Sequence, residues 1–187
     1  MSATRRVLVV AATERELSGH DGVACGIGPV EAAAATGRAL ALERPDAVIH
    51  VGLGGGVGLA PGTLVVGTEA FYADLAAAIP VVSRVEPDAD LLAAVRAVFP
   101  DAPALPIATS AAVSGPRDTV SQGFRVEAME GFGVLRACAL AGVPAVEVRA
   151  ISNELGEADR SRWELERGLD ALAEALPRLL AAAGGPG

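Results

Sequence analysis

The sequence predicts an α/β fold, a single three-layer domain whose mostly parallel, twisted central sheet carries helices on both faces. Apolar, β-branched runs at 7–12, 46–51 and 143–151 have the composition of strands buried on both faces. Helical segments separate such runs, one Ala-rich at 29–42 and one amphipathic at 88–99. Because connections between parallel strands cross over the sheet as helices, this alternation predicts three layers.

Local signals predict the remaining elements. Thr13 is expected to cap a short helix, since Glu14 and Glu16 would fall in its first turn. Residues 70–79 fit a helix or a strand equally well, and 110–125 are expected to form a polar loop. Further strands are predicted at 23–26, 63–66 and 105–109, and further helices at 129–141 and 160–183.

Composition narrows the class of protein and its partners. The 187 residues are predicted to form one domain, 1–187, whose last residues, 184–187, form a frayed tail. The net charge of −8 disfavours nucleic acid and anionic membranes as partners. Neither a secretory signal nor an apolar run of about 18 residues is found, so a cytoplasmic location is expected.

Polar residues follow three of the predicted strands. In an open parallel sheet, ligands bind beyond the carboxyl ends of the strands. Glu14 and Glu16 follow the first strand, the glycine-rich segment 52–58 follows the third, and Ser152 with Asn153 follows the last. These residues are therefore expected to converge on one site.

Each of these signals also has a purely structural interpretation. Glu16 could simply complement the dipole of a helix N-terminus, and Asn153 could cap a turn. The glycine-rich segment could be a tight loop between strands or a backbone surface that a ligand approaches closely. Arg149 lies in an apolar strand, where a lone charge is costly, so it is expected to pair with a carboxylate. Glu147, two residues earlier on the same face, is one candidate.

Several segments taken together resemble the nucleosidase branch of the purine nucleoside phosphorylase superfamily. They are Val9-Val-Ala-Ala-Thr-Glu-Arg-Glu16, Cys25-Gly-Ile-Gly-Pro-Val-Glu-Ala-Ala33, Val51-Gly-Leu-Gly-Gly-Gly56, Glu127-Ala-Met-Glu130 and Val148-Arg-Ala-Ile-Ser-Asn153. The extension from Ser152 to Trp163, with its Asp-Arg-x-x-Trp ending, is similar to the futalosine hydrolases of that family. The resemblance spans residues 7 to about 163 and implies a nucleoside phosphorylase-like fold.

The resemblance implies two catalytic residues and a set of substrate contacts. Glu16 corresponds to the glutamate that activates the attacking water, and Asn153 to the residue that faces N7 and position 6 of the purine. Glu130 corresponds to the glutamate that binds the ribose hydroxyls. The remaining substrate contacts are Met129 beside ribose and base, Gly54 and Gly55 in the loop beside the nucleoside, and Val113 in the loop that lines the base.

The substrate that the resemblance implies carries a benzoate on its sugar side. A carboxylate entering an acidic protein needs a local cation, for which arginine offers a bidentate partner. Arg160 and Arg117, both in predicted loop regions, are the candidates, although either could be a solvated surface side chain.

The implied activity is release of hypoxanthine from futalosine in menaquinone biosynthesis, without a cofactor or metal, by a homo-oligomer acting on a small-molecule nucleoside. A methylthioadenosine or adenosylhomocysteine nucleosidase would be distinguished by Asp at position 153. A phosphorylase would need cations for phosphate, yet His50 stands where related phosphorylases carry an arginine. A non-catalytic nucleotide-binding module would leave the pair Glu16 and Glu130 unexplained.

Overall fold

A computed structural model describes residues 5–112 and 122–184. The strands in this part of the chain are β1 (Val7–Ala11), β2 (Val23–Ala24), β3 (Ala47–Gly56), β4 (Leu64–Tyr72), β5 (Arg84–Val85), β6 (Ala104–Thr109), β7 (Val126–Ala128) and β8 (Ala145–Glu154). The helices are α1 (Glu14–Leu17), α2 (Pro29–Glu43), α3 (Ala89–Val98), α4 (Gly131–Ala141) and α5 (Leu165–Gly184), with a 3-10 turn at Arg160–Arg162.

The long strand β3 organises the sheet. Its first half pairs with β1 in parallel, its last two residues pair with β7 in antiparallel, and β8 runs parallel along its other edge. β8 also pairs with β4, β4 with β6, and β6 with β7. The strands β3, β7, β6, β4 and β8 therefore close a ring, while β1 and β2 extend the sheet outward.

The predicted α/β class is confirmed, with more antiparallel pairing than the sequence indicated. Pairs β3–β7, β4–β5 and β4–β8 are antiparallel, whereas the other five pairs are parallel. Residues 64–66 of β4 meet 148–150 of β8 after a sharp turn at 60–63, and this contact turns the sheet back on itself.

Helices cover both faces of the sheet, as predicted. Val9 and Ile49 face the core formed with α3 and α5, whereas Val10 and Val48 face the core formed with α2 and α4. Successive residues of a strand point to opposite faces, so a strand with a core on each side must be apolar at every position.

Some element boundaries differ from the predictions. The interpretation of the glycine-rich segment as a tight loop is wrong, because residues 52–56 belong to β3. The predicted helix 160–183 is divided into the 3-10 turn and α5, because the backbone N–H of Glu164 donates to the carbonyl of Ser152 at 2.8 Å. Short strands β5 and β7 were not predicted, and the helix α5 extends to Gly184.

Candidate active site

A cavity of about 360 Å³ lies at the carboxyl ends of β1, β3 and β8, where the topology predicts a ligand site. Its volume is in the range of small-molecule sites. It brings together most of the predicted site residues, namely Glu16, Gly54, Gly55, Met129, Glu130, Asn153 and Arg160. Val113 and Arg117 lie outside the described residues, so their predicted roles stay predictions.

Glu16 is fixed at the wall of this cavity by three hydrogen bonds. Its Oε2 accepts from the backbone N–H of Thr13 at 2.9 Å and from the Thr13 hydroxyl at 2.7 Å. Its Oε1 accepts from the backbone N–H of Leu53 at 2.9 Å. Because a carboxylate offers about four acceptor positions, one stays open for a water molecule in the cavity.

Glu130 is held from two sides at the start of α4. Its Oε1 accepts from the backbone N–H of Gly28 at 3.1 Å, and its Oε2 accepts from Nη1 of Arg149 at 3.2 Å. The side chain is buried apart from its exposure to the cavity. A carboxylate oriented in this way can accept from a pair of neighbouring hydroxyl groups.

Arg149 is completely buried at the centre of a polar cluster. Its Nε donates to Oε1 of Glu147 at 2.8 Å, which confirms the predicted pairing. Its Nη2 donates to Nε2 of His50, whose Nδ1 donates to the carbonyl of Val10 at 2.9 Å. Burial, and then the Arg149 charge, hold the pKa of His50 well below its ordinary value, so the imidazole is neutral and can accept.

This arrangement bears on the choice of nucleophile. Both ring nitrogens of His50 are engaged inside the protein, so this side chain presents no donor to the cavity. Among the described arginines, Arg15 and Arg160 line the cavity, and Arg15 already pairs with Glu166 at 2.6 Å. A buried, neutral His50 therefore does not act as a phosphate-binding cation.

The amide of Asn153 is oriented by its neighbours at the end of β8. The Ser152 hydroxyl donates to Oδ1 at 2.8 Å, and Nδ2 donates to the carbonyl of Glu154 at 3.0 Å. One amide hydrogen and one acceptor position of Oδ1 are left for a ligand. A Cβ on Gly55 would lie 3.1 Å from Nδ2, so the glycine there leaves room for the amide.

Other cavity residues carried no predicted role. Trp163 lines the cavity beside Arg160, whose guanidinium carbon lies 5.6 Å from the centre of the indole ring. Trp163, the single tryptophan, ends the Asp-Arg-x-x-Trp motif, but the sequence analysis assigned it no role in the site. The cavity also has an apolar wall to which the sequence assigned no role. Its residues lie partly within the segments quoted for the family and partly outside them, and they include Ile27, Leu53, Leu155, Leu165 and Leu169.

Comparison with known proteins decides the family. The model of the phosphorylase superfamily matches residues 17–183. The futalosine hydrolase of Streptomyces coelicolor is 37% identical over 188 residues, covering 86% of this chain and 78% of that protein. The chain belongs to the futalosine hydrolase family of the phosphorylase superfamily.

Solved structures show the same fold at lower identity. The 5′-methylthioadenosine/S-adenosylhomocysteine nucleosidase of Colwellia psychrerythraea, in complex with adenine, gives a TM-score of 0.84 at 22% identity, covering 96% of both chains. The futalosine hydrolase of Helicobacter pylori gives 0.83 at 18% identity, covering 96% of this chain and 99% of that one. Within residues 5–112 and 122–184, this member of the futalosine hydrolase family has no helix long and apolar enough to cross a membrane.

Proposed function

We propose that this chain hydrolyses the N-glycosidic bond of futalosine and releases hypoxanthine, a reaction of menaquinone biosynthesis. One observation carries the proposal: Glu16, Glu130 and Asn153 line a single cavity in a chain of the futalosine hydrolase family. Each residue suits one part of the reaction, and none of the parts requires a cofactor or metal.

Glu16 acts on the nucleophile. The bond between C1′ and N9 breaks while the sugar takes on oxocarbenium character, and the electron pair leaves with the purine. Water forms the new bond to C1′ and gives up a proton, which the Glu16 carboxylate accepts as general base. Glu130 holds the sugar by accepting hydrogen bonds from its hydroxyls, with Met129 packed beside ribose and base.

Asn153 faces the departing base. A 6-oxopurine protonated at N7 presents a donor beside an acceptor, which the Oδ1 and Nδ2 of an amide complement. Asn153 cannot supply the proton, so the base leaves through a water-mediated transfer or as an anion stabilised by hydrogen bonds. In this proposal the backbone of Gly54 and Gly55 lies beside the nucleoside, and Val113, outside the described residues, keeps the predicted role of contacting the base.

Arg160 is proposed to bind the carboxylate on the sugar side of the substrate. It lines the cavity in a turn whose other arginine, Arg162, pairs with Glu157 at 3.0 Å. The indole of Trp163 beneath it offers a flat apolar surface for an aromatic ring next to the carboxylate. Arg160 and Trp163 together offer a partner for each part of an aryl carboxylate, the charge and the ring.

Release of adenine from methylthioadenosine is the second candidate, because solved nucleosidases for that substrate share the fold. An Asn153 amide presents its nitrogen as a donor toward the 6-amino group, and a donor facing a donor disfavours adenine.

The proposal also includes a cytoplasmic location and a homo-oligomeric state. Two free, buried cysteines, Cys25 and Cys138, support the location, because disulfides are rare in the reducing cytoplasm. Apolar side chains exposed near the cavity support the oligomeric state.

The test is to incubate the protein with futalosine, inosine and methylthioadenosine in phosphate-free buffer and to identify the released base by chromatography. Hypoxanthine from futalosine at the highest kcat/KM supports the proposal. Faster release of adenine would identify the second candidate instead, and turnover that needs added phosphate would identify a phosphorylase.

A further inference from the structure

Glu147 is a buried acid that does not reach the cavity. Its side chain and that of Arg149 are both completely buried in β8, in the cluster beneath the site. Taking a charged pair out of water costs more than burying apolar side chains of the same volume, so such a pair is weak evidence of stabilisation. Its presence at this position calls for a reason other than stability.

The hydrogen bonds of Arg149 lead from Glu147 to the sugar-binding wall. Glu147 Oε1 accepts from Nε of Arg149 at 2.8 Å, while Nη1 of the same planar group lies 3.2 Å from Oε2 of Glu130. Because a guanidinium is rigid, fixing its Nε edge fixes the direction in which Nη1 points. A carbonyl at Leu53, 3.4 Å away, and Nε2 of His50 hold the rest of the group.

Glycines make room for this cluster. A Cβ on Gly131 would overlap both carboxylate oxygens of Glu147, and a Cβ on Gly52 would overlap Nη1 of Arg149. Gly131 directly follows Glu130, so the Glu147 carboxylate also packs against the backbone that carries Glu130. Among the described residues, no donor reaches Glu147 Oε2, so the hydrogen bond from Nε of Arg149 to Oε1 is the one that orients this carboxylate.

We propose that Glu147 is a positioning residue for ribose recognition. It holds the Arg149 guanidinium, which in turn orients the Glu130 carboxylate toward the sugar hydroxyls. The inference rests on the proposed role of Glu130, and it is independent of which base is released and of the group carried at C5′.

The primary variant is Glu147→Gln, which keeps the shape of the side chain and removes its charge. Futalosine and its 2′-deoxy analogue are compared by kcat/KM and, in parallel, by calorimetric affinity. We expect the preference for the 2′-hydroxyl to fall about 10- to 100-fold, the range of a hydrogen bond to a charged group. The variant Glu130→Gln shows how far the preference for the 2′-hydroxyl falls when the sugar-binding carboxylate itself is replaced. Val148→Ala, the fully buried neighbour on the opposite face, should lower the Tm and leave the preference unchanged.

A double-mutant cycle separates positioning from general damage. If Glu147 acts through Arg149, then Glu147→Gln should change the hydroxyl preference by less than about 2-fold in an Arg149→Met background. If Glu147→Gln does not fold, the apolar pair Glu147→Leu with Arg149→Met replaces it, since such replacements of buried ion pairs are tolerated. The pair should lose the preference as fully as Glu130→Gln does.

An unchanged hydroxyl preference in Glu147→Gln or in the apolar pair would overturn the inference, as would additive effects in the cycle. The outcome is separate from that of the proposed function. A wild type that binds with the hydroxyl preference but releases no hypoxanthine refutes futalosine hydrolysis and leaves the positioning role standing. A wild type that releases hypoxanthine without any hydroxyl preference refutes the positioning role and leaves futalosine hydrolysis standing.

Discussion

Glu16 combines a structural role and the proposed chemical role in one carboxylate. It completes a capping box with Thr13 at the start of α1, and it reaches across to the backbone of β3 at Leu53. The structural and functional interpretations of this residue are therefore compatible. The capping hydrogen bonds hold the proposed base at the cavity wall, so the orientation of its carboxylate is set before a substrate arrives.

Replacing Glu16 by Gln should remove the base while keeping the shape of the site. We expect turnover to fall by about 10²–10⁴ with KM largely kept. The amide nitrogen would face one of three donors, which adds a loss of about 1 kcal/mol in the free energy of unfolding. Steady-state kinetics and urea unfolding check both effects. Glu14→Gln, an exposed acid of the same helical turn, is the control, and a similar loss there would refute the assignment.

Asn153→Asp should exchange base selectivity. A carboxylate offers acceptors only, which suits the two donors of an N7-protonated 6-aminopurine and repels a 6-oxygen. We expect lower kcat/KM on inosine and higher kcat/KM on adenosine, measured by release of the free base. A wild type that releases adenine and hypoxanthine equally fast from these matched nucleosides would contradict the selectivity assigned to Asn153.

At the scale of elements, the end of β3 shows why glycine is used inside a strand. Glycine is disfavoured there because it packs no side chain. In β3 the missing side chains admit a buried guanidinium at Gly52, the carbonyl of Glu127 at 3.0 Å from a Cβ on Gly54, and the Asn153 amide at Gly55. The glycines lower the strand propensity of this segment, but they allow these groups to approach the backbone of β3 closely.

Gly52→Ala should disrupt the cluster beneath the site. Its Cβ would overlap Nη1 of Arg149 and lie 3.0 Å from Oε1 of Glu16. We expect a loss of about 1–3 kcal/mol in the free energy of unfolding together with a marked loss of kcat. Gly37→Ala in α2, where an added Cβ would lie within 4 Å of no atom apart from the adjoining part of its own helix, should instead stabilise by about 0.5–1 kcal/mol and leave activity unchanged. Full activity in Gly52→Ala would argue against this role of the cluster.

The 3-10 turn before α5 carries the arginine assigned to the substrate carboxylate. Arg160→Ala should lower kcat/KM for futalosine by about 10- to 100-fold, the range of a charge-assisted hydrogen bond, with little change for inosine. Arg162→Ala in the same turn is the matched control, since its guanidinium pairs with Glu157 and does not line the cavity. Parallel losses on futalosine and inosine would exclude the carboxylate role.

At the scale of the molecule, apolar side chains at the start of α2 lie exposed beside the cavity. Ile27 lines the cavity and is 61% exposed, and Val30 is 74% exposed. Water contact over such a patch is unfavourable, which fits the expected homo-oligomer.

Val30→Glu should therefore dissociate the proposed homo-oligomer by placing a charge in its expected interface. Sedimentation equilibrium should show a lower mass for the variant than for the wild type at the same concentration. Leu42→Glu is the control, because Leu42 is similarly exposed at 69% yet lies about 18 Å further along the same helix. A monomeric wild type would end this prediction.

Local pattern accounts for the features that the sequence predicted. Buried strands are apolar at every position, and a capping box or a proline marks where a helix begins, so β1, α1 and α2 were predicted within a few residues. The pair Glu147 and Arg149 followed from period-two spacing, because both residues belong to one strand. The resemblance to the family predicted one shared site for Glu16, Glu130 and Asn153, because each of them lies in a short recognisable segment.

Only the tertiary structure decided how these segments meet. Arg149 contacts His50 across 99 positions of the chain, and Glu130 contacts Gly28 across 102. The closing of the ring by β4, β7 and β8, and the place of the glycines inside β3, depend on the same long-range pairing. Patterns along a chain encode which face of an element is buried, whereas partners distant in sequence are selected by the packing of the whole domain. The sequence by itself thus determined the elements and the chemical groups available, and the fold decided which groups hold the proposed catalytic residues in place.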